Sequence, residues 1–257
     1  VTQQIIWKGN EHTNHSSRGG IVPCCIVNHI SAGTLGSMDN WFTSPNNTVS
    51  SAHFGIGKQG QIHQYVAIEH MAWANGLSMD NLRAATAPIV FDKKVNPNLY
   101  TVSIEHEGHD GDLTEEQFEA SVWLHKYIRD YIRQKWNKDF PLDEYHVIGH
   151  FQINKIAKPN CPGPKFPWNR LYEALKETEE DEDMLREELE QLRAELNATK
   201  QQLAELQRLS NLPEVPDWAE EAVQAAIKAE IIDSDVPVSG SYDFYRIITI
   251  LHRKGLI

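Results

Sequence analysis

The chain has few cysteines, no long apolar run and no basic stretch. Each shortage excludes something. Three cysteines, Cys24, Cys25 and Cys161, are too few to staple 257 residues into a disulfide scaffold. Cys24 and Cys25 are adjacent on a strand-like run, so their side chains point to opposite faces and read as small buried hydrophobes. No apolar run approaches the roughly 20 residues that cross a bilayer, so no membrane insertion is expected. The first ten residues, VTQQIIWKGN, lack a basic segment followed by an apolar one, and the sequence therefore predicts no secretory signal. Basic character is short throughout. Residues 1–176 carry 16 Lys and Arg against 17 Asp and Glu, and residues 177–257 carry 8 against 19, so most of the net charge of −12 sits in the tail. Neither part has the electrostatic footprint of a nucleic-acid binder.

What the chain does have is histidine, and it is unevenly placed: eleven of twelve lie before residue 177. The pattern around them predicts a mixed α/β domain over residues 1–176. Ile21–Ile30, Ala52–Ile56, Gln61–Val66, Tyr100–Glu107 and Tyr145–Ile148 read as strands, the second and third joined by a hairpin signal at Lys58-Gln59-Gly60. Thr34–Phe42 reads as a short helix. Thr114 opens a longer one, with a capping box to Gln117 and an inward stripe of Phe118, Val122, His125, Ile128 and Ile132. Trp168–Leu175 closes the domain as a helix.

Residues 177–210 change character. Leu185, Leu189, Leu192, Leu196, Thr199, Leu203 and Leu206 alternate spacings of four and three, the seam of a coiled coil or of a solitary amphipathic helix. The first reading implies a parallel homo-oligomer through the 185–206 helix. The acidic run Glu177–Asp183 lies at its N-terminal end, where a helix dipole favours negative charge. Asn211–Pro216 breaks the pattern, and residues 211–257 read as a small helical module: a helix capped by Asp217, a turn at Pro237–Ser241, and a helix over Tyr242–Arg253. At this size the module is expected to lean on a partner copy or on the coiled coil.

Three residues far apart in sequence make a chemical set. His29 ends the first apolar strand, His150 follows Val147-Ile148-Gly149, and Cys161 sits in the loop KPNCPGP. A single histidine at a strand end is more often structural. Together, two nitrogens and a sulfur leave one tetrahedral position open, as catalytic zinc requires, and such zinc lowers the pKa of bound water to about 7. Glu105 and Glu107 share one face of their strand and His106 takes the other, so one of the two carboxylates can face such a centre.

Five segments in order then resemble the type 2 N-acetylmuramoyl-L-alanine amidases, relatives of peptidoglycan recognition proteins and phage endolysin amidases. They are IVNHISAG around His29, SSAHFGIGKQGQIHQYV ending at Val66, MAWANG over Met71–Gly76, VSIEHEG over Val102–Gly108, and VIGHFQI with KPNCPGPKFPW ending at Trp168. The resemblance implies a central sheet flanked by helices and a zinc ion on His29, His150 and Cys161. It implies cleavage of the amide between the lactyl group of N-acetylmuramic acid and L-alanine in peptidoglycan. It places Glu105 on the general base and acid. Lys158 is the candidate for oxyanion stabilisation, and His53, Trp73 and Asn75 are candidate substrate contacts. Two departures stand out. The family's lysine lies two residues before the third ligand, where this chain has Pro159, and the family's histidine after Trp is replaced by Ala74-Asn75. The C-terminal module is faintly similar to an S-layer-homology repeat, which implies wall attachment; oligomerisation is the other reading. With no signal predicted, the layout implies a phage or prophage lysis enzyme, made in the cytoplasm and acting on the wall after release. A bacterial autolysin is the nearer alternative, and a non-catalytic peptidoglycan-recognition module the rival class.

Overall fold

The computed structural model describes residues 3–76, 79–210, 212–233 and 240–257. In chain order the elements are β1 (Ile5–Trp7), β2 (His15–Ser17), β3 (Cys25–Ile30), α1 (Leu35–Phe42), β4 (Phe54–Ile56), β5 (Ile62–Gln64), β6 (His70–Ala72), α2 (Met79–Arg83), α3 (Pro88–Lys93), β7 (Thr101–His106), α4 (Glu115–Trp136), β8 (Val147–Gly149), α5 (His150–Ile153), α6 (Trp168–Ser210), α7 (Glu220–Lys228) and α8 (Tyr242–Arg253). The chain divides into two compact units, Val1–Asp181 and Glu182–Ile257. Among the described residues no helix is long and apolar enough to cross a membrane.

The first unit is the mixed α/β domain that the sequence predicts. A six-stranded sheet runs in the order β1-β5-β4-β7-β3-β8. Its pairs are parallel except β4 with β5, the expected hairpin. That turn is made at Gly60, whose φ of +80° suits a residue without Cβ. A small second sheet pairs β2 with β6.

The alternation of β3 explains the layering. Ile26 joins a core that includes Phe54, Ile104, Leu124, Ile128 and Ile132, so one face of the sheet is sealed by α4. Cys25 and Val27 join a separate cluster with Ile89, Tyr100, Ile148 and Ile153 on the other side of the strand. Each such buried aliphatic contributes roughly 1.5–3 kcal/mol relative to exposure. All three cysteines are free thiols.

Polar groups on the α4 side are satisfied in pairs. Asn28 donates through Nδ2 to His125 Nε2 (3.1 Å), and His125 Nδ1 donates to the Ser121 carbonyl (2.7 Å). Burial holds His125 neutral, with its pKa lowered to about 4 despite that carbonyl contact. The reading of His125 as an inward position is therefore right in place, with a polar partner rather than an apolar one.

Several local expectations are corrected. Thr114 does cap α4, accepting from the Gln117 backbone, but the Gln117 side chain does not return to close the box. It donates instead to the Ile56 and Glu107 carbonyls, tying the helix to the sheet. Trp168–Leu175 and the 185–206 segment both fall within the range of α6, a stretch that holds no Gly or Pro. Asp217 begins a 3-10 turn over Asp217–Ala219, and no side chain caps it. The turn at Pro237–Ser241 lies mostly outside the described residues. The second unit also holds a small core of its own, in which α7 and α8 bury Ala222, Val223, Ala226, Tyr245 and Ile248.

Candidate metal centre

The site grows from the carboxyl ends of parallel strands, where open α/β sheets commonly bind ligands. His29 on β3 lies directly beside Glu105 on β7, in register. Asn28 pairs with Gly149 at the end of β8, which brings the next residue, His150, alongside His29. Their ring centroids are 4.4 Å apart. Cys161 arrives from the loop after α5. That loop is anchored twice: the Phe151 N–H donates to the Cys161 carbonyl, and the Ile30 N–H donates to Cys161 Sγ at 3.4 Å. Gly163, two residues on, has a φ of +119°, and a Cβ there would meet the Asp110 backbone at 2.2 Å. Only glycine lets this segment lie against Asp110.

One ligand atom from each of His29, His150 and Cys161 lies within 4.8 Å of the others. His150 donates Nε2–H to the Asn75 carbonyl at 3.0 Å, which turns its other nitrogen toward the centre. His29 Nε2 is buried without a partner, and so is Glu105 Oε2. Glu105 Oε1 stands 3.8 Å from His29 Nδ1.

Burial dominates the electrostatics. It holds both histidines in the neutral, ligating form: His29 well below the ordinary value, helped by His150, and His150 at about 4. Burial pushes the Cys161 thiol up to about 12 and the Glu105 carboxyl up to about 7, with Lys158 opposing the latter. Two imidazole nitrogens and one sulfur form the donor set of a three-ligand zinc site. The orphaned His29 nitrogen is what such an ion would satisfy.

The cleft above these groups has a volume of about 460 Å³. Lys158, Trp73, Met38, Trp41 and Val49 line it together with His29, Glu105, His150 and Cys161. Trp73 is pinned by its indole N–H, which donates to Ser16 Oγ. Glu107 is not in the cleft; its Oε2 accepts from the backbone N–H groups of Leu35 and Lys58. His106, on the other face of β7, donates to the His29 carbonyl and meets Ser121 Oγ.

Two expected substrate contacts lie elsewhere. His53 is 1% exposed and Asn75 0%. The Ser103 N–H donates to His53 Nδ1, and His53 Nε2 donates to the His70 carbonyl. Asn75 donates through its amide to Thr101 Oγ1, and its carbonyl orients His150. Neither lines the cleft. The sequence reading also missed Trp41, 47% exposed on α1 with its indole N–H donating to Ser50 Oγ. A large aromatic on the outer face of a short helix was the available signal. Arg18 was missed too: buried, it donates to the carbonyls of Ile68, Asn98, Leu99 and Thr101.

The family model for N-acetylmuramoyl-L-alanine amidase matches residues 20–164, which contain every element of this centre. The chain belongs to this family. A search of curated proteins gives no match. Among solved structures, a selenomethionine derivative of AmpD is 22% identical with a TM-score of 0.50, over 68% of this chain and 96% of that one. The amidase LysC from Clostridium intestinale URNW is 18% identical with a TM-score of 0.42, over 68% of this chain and 99% of that one. PlyL is 16% identical with a TM-score of 0.48, over 68% and 97%. At these identities the AmpD likeness speaks for the fold alone.

Proposed function

We propose that this amidase is a zinc-dependent peptidoglycan hydrolase that cleaves the amide between the lactyl group of N-acetylmuramic acid and L-alanine. The observation that carries the reading is the N, N, S donor cluster beside a buried carboxylate, inside the segment that the family model matches. His29, His150 and Cys161 would hold the ion. When bound, zinc supplies Lewis acidity toward a carbonyl oxygen and a water acidic enough to be a nucleophile near neutral pH.

The chain's own residues do the rest. Glu105 takes a proton from the attacking water. As the C–N bond breaks, it delivers that proton to the leaving nitrogen, so the products are a lactyl carboxylate and a free L-alanine amine. Burial raises the Glu105 carboxyl, which favours its holding the proton it takes until the leaving nitrogen accepts it. The Lys158 ammonium lines the same cleft, where it opposes the negative charge that develops on the carbonyl oxygen. The Asn75 carbonyl keeps His150 in one orientation. Trp73 and Trp41 form cleft wall against which an extended glycopeptide can lie.

The three-part layout is read as a catalytic domain over 1–176, a helical linker over 177–210 and a module over 211–257 for wall attachment or oligomerisation. Copies associate through the 185–206 helix. Such a layout suits a wall-lytic enzyme of a phage or prophage, since several linked binding sites raise the effective concentration on an insoluble polymer.

Digestion of purified cell wall tests this reading. New L-alanine amino termini should accumulate without new reducing sugars. Reducing ends would make the chain a glycosidase, and tight wall binding with no new ends of either kind would make it a recognition module.

A further inference from the structure

The tail helix carries information about its partner that goes beyond the presence of an apolar seam. Within α6, Leu185, Leu189, Leu192, Leu196, Leu203 and Leu206 are each between 47% and 65% exposed. Their spacing puts Leu189, Leu196 and Leu203 at position a of a heptad, and Leu185, Leu192, Thr199 and Leu206 at position d. Thr199 is tolerable in such a seam because its hydroxyl already donates to the Glu195 carbonyl.

The flanks of this seam separate by charge. The g positions are Glu188, Glu195 and Gln202, and the e positions that follow are Arg193, Lys200 and Gln207, all exposed. In a parallel, in-register pair each g residue faces the e residue of the next heptad on the other chain. That arrangement matches Glu188 with Arg193, Glu195 with Lys200, and Gln202 with Gln207, on both sides of the seam. An antiparallel pair sets g against g and e against e. Glu195 would then face its own copy, and Arg193 would face Lys200.

We propose that the segment 185–206 binds a second copy of this chain, parallel and in register, with the glutamate–arginine and glutamate–lysine pairs setting the orientation. The proposal rests on the reading of this helix as a site of association. It adds that identical positions meet across the seam, so two catalytic units are tethered from the same end of one helical pair.

Light scattering on the full chain and a cysteine bridge test the two parts separately. At tens of micromolar the expected mass is twice the 29.3 kDa chain. Leu206→Cys, mildly oxidised, should give a covalent dimer beyond any formed by the parent chain, because d positions of a parallel pair lie within disulfide reach. Glu188→Lys with Glu195→Lys should weaken association by about tenfold, less at high salt. A dimer in which Leu206→Cys bridges only to Leu189→Cys, the a position it would meet in an antiparallel pair, would overturn the parallel orientation while leaving association intact. A monomer at every concentration would overturn association itself.

Discussion

Replacing Cys161 by serine is expected to leave a folded chain that holds no zinc and hydrolyses wall at least about 10³-fold more slowly. The magnitude follows from the several kcal/mol that metal-borne charge stabilisation contributes to such reactions, at a factor of ten per 1.36 kcal/mol. The fold should survive. Cys161 is only partly buried, its sulfur makes one weak contact with the Ile30 N–H, and a serine hydroxyl can accept the same bond. The loop is held independently by Phe151, by Gly163 against Asp110, and by Lys165 on the Asp110 carboxylate at 2.8 Å. Metal content, thermal melting in chelator and wall turbidity on one preparation separate loss of the ion from loss of the fold. A serine variant that keeps full zinc and full rate would remove Cys161 from the centre.

Replacing Glu105 by glutamine should do the reverse: zinc stays and turnover falls by about 10²–10⁴-fold, the usual contribution of a positioned acid–base group. Glutamine keeps the side chain's volume in a buried place, so packing around it changes little. It cannot accept and return a proton. The neighbouring carboxylate offers no substitute, since Glu107 is spent on the Leu35 and Lys58 backbone N–H groups outside the cleft. Single-turnover assays on soluble muropeptide, with metal counted in parallel, read both quantities. Undiminished turnover would mean that another group moves the proton.

The site was more legible in the sequence than its surroundings, for physical reasons. His29, Glu105 and His150 each end or follow an apolar run, and strand ends converge on one edge of a parallel sheet. Cys161 sits among prolines and glycine, which mark a rigid loop. What sequence order does not convey is which way a side chain faces once its neighbours compete for it. His53 and Asn75 flank the cleft in sequence, yet buried backbone and side-chain partners claim them. Arg18 is a lone cation in a polar stretch, and its carbonyl partners lie 50 to 83 residues away. The three-residue strands β1, β2 and β6 are too short for a period of two to stand out. The Gln117 side chain shows the same limit at helix scale: its local partner was predicted from spacing, and tertiary carbonyls won.

The most direct test is to strip the wild-type protein with chelator, count the metal before and after, and add zinc back. The account predicts one zinc per chain at the start, no wall hydrolysis when it is gone, and recovery as one equivalent returns. Full hydrolysis by metal-free protein would contradict it.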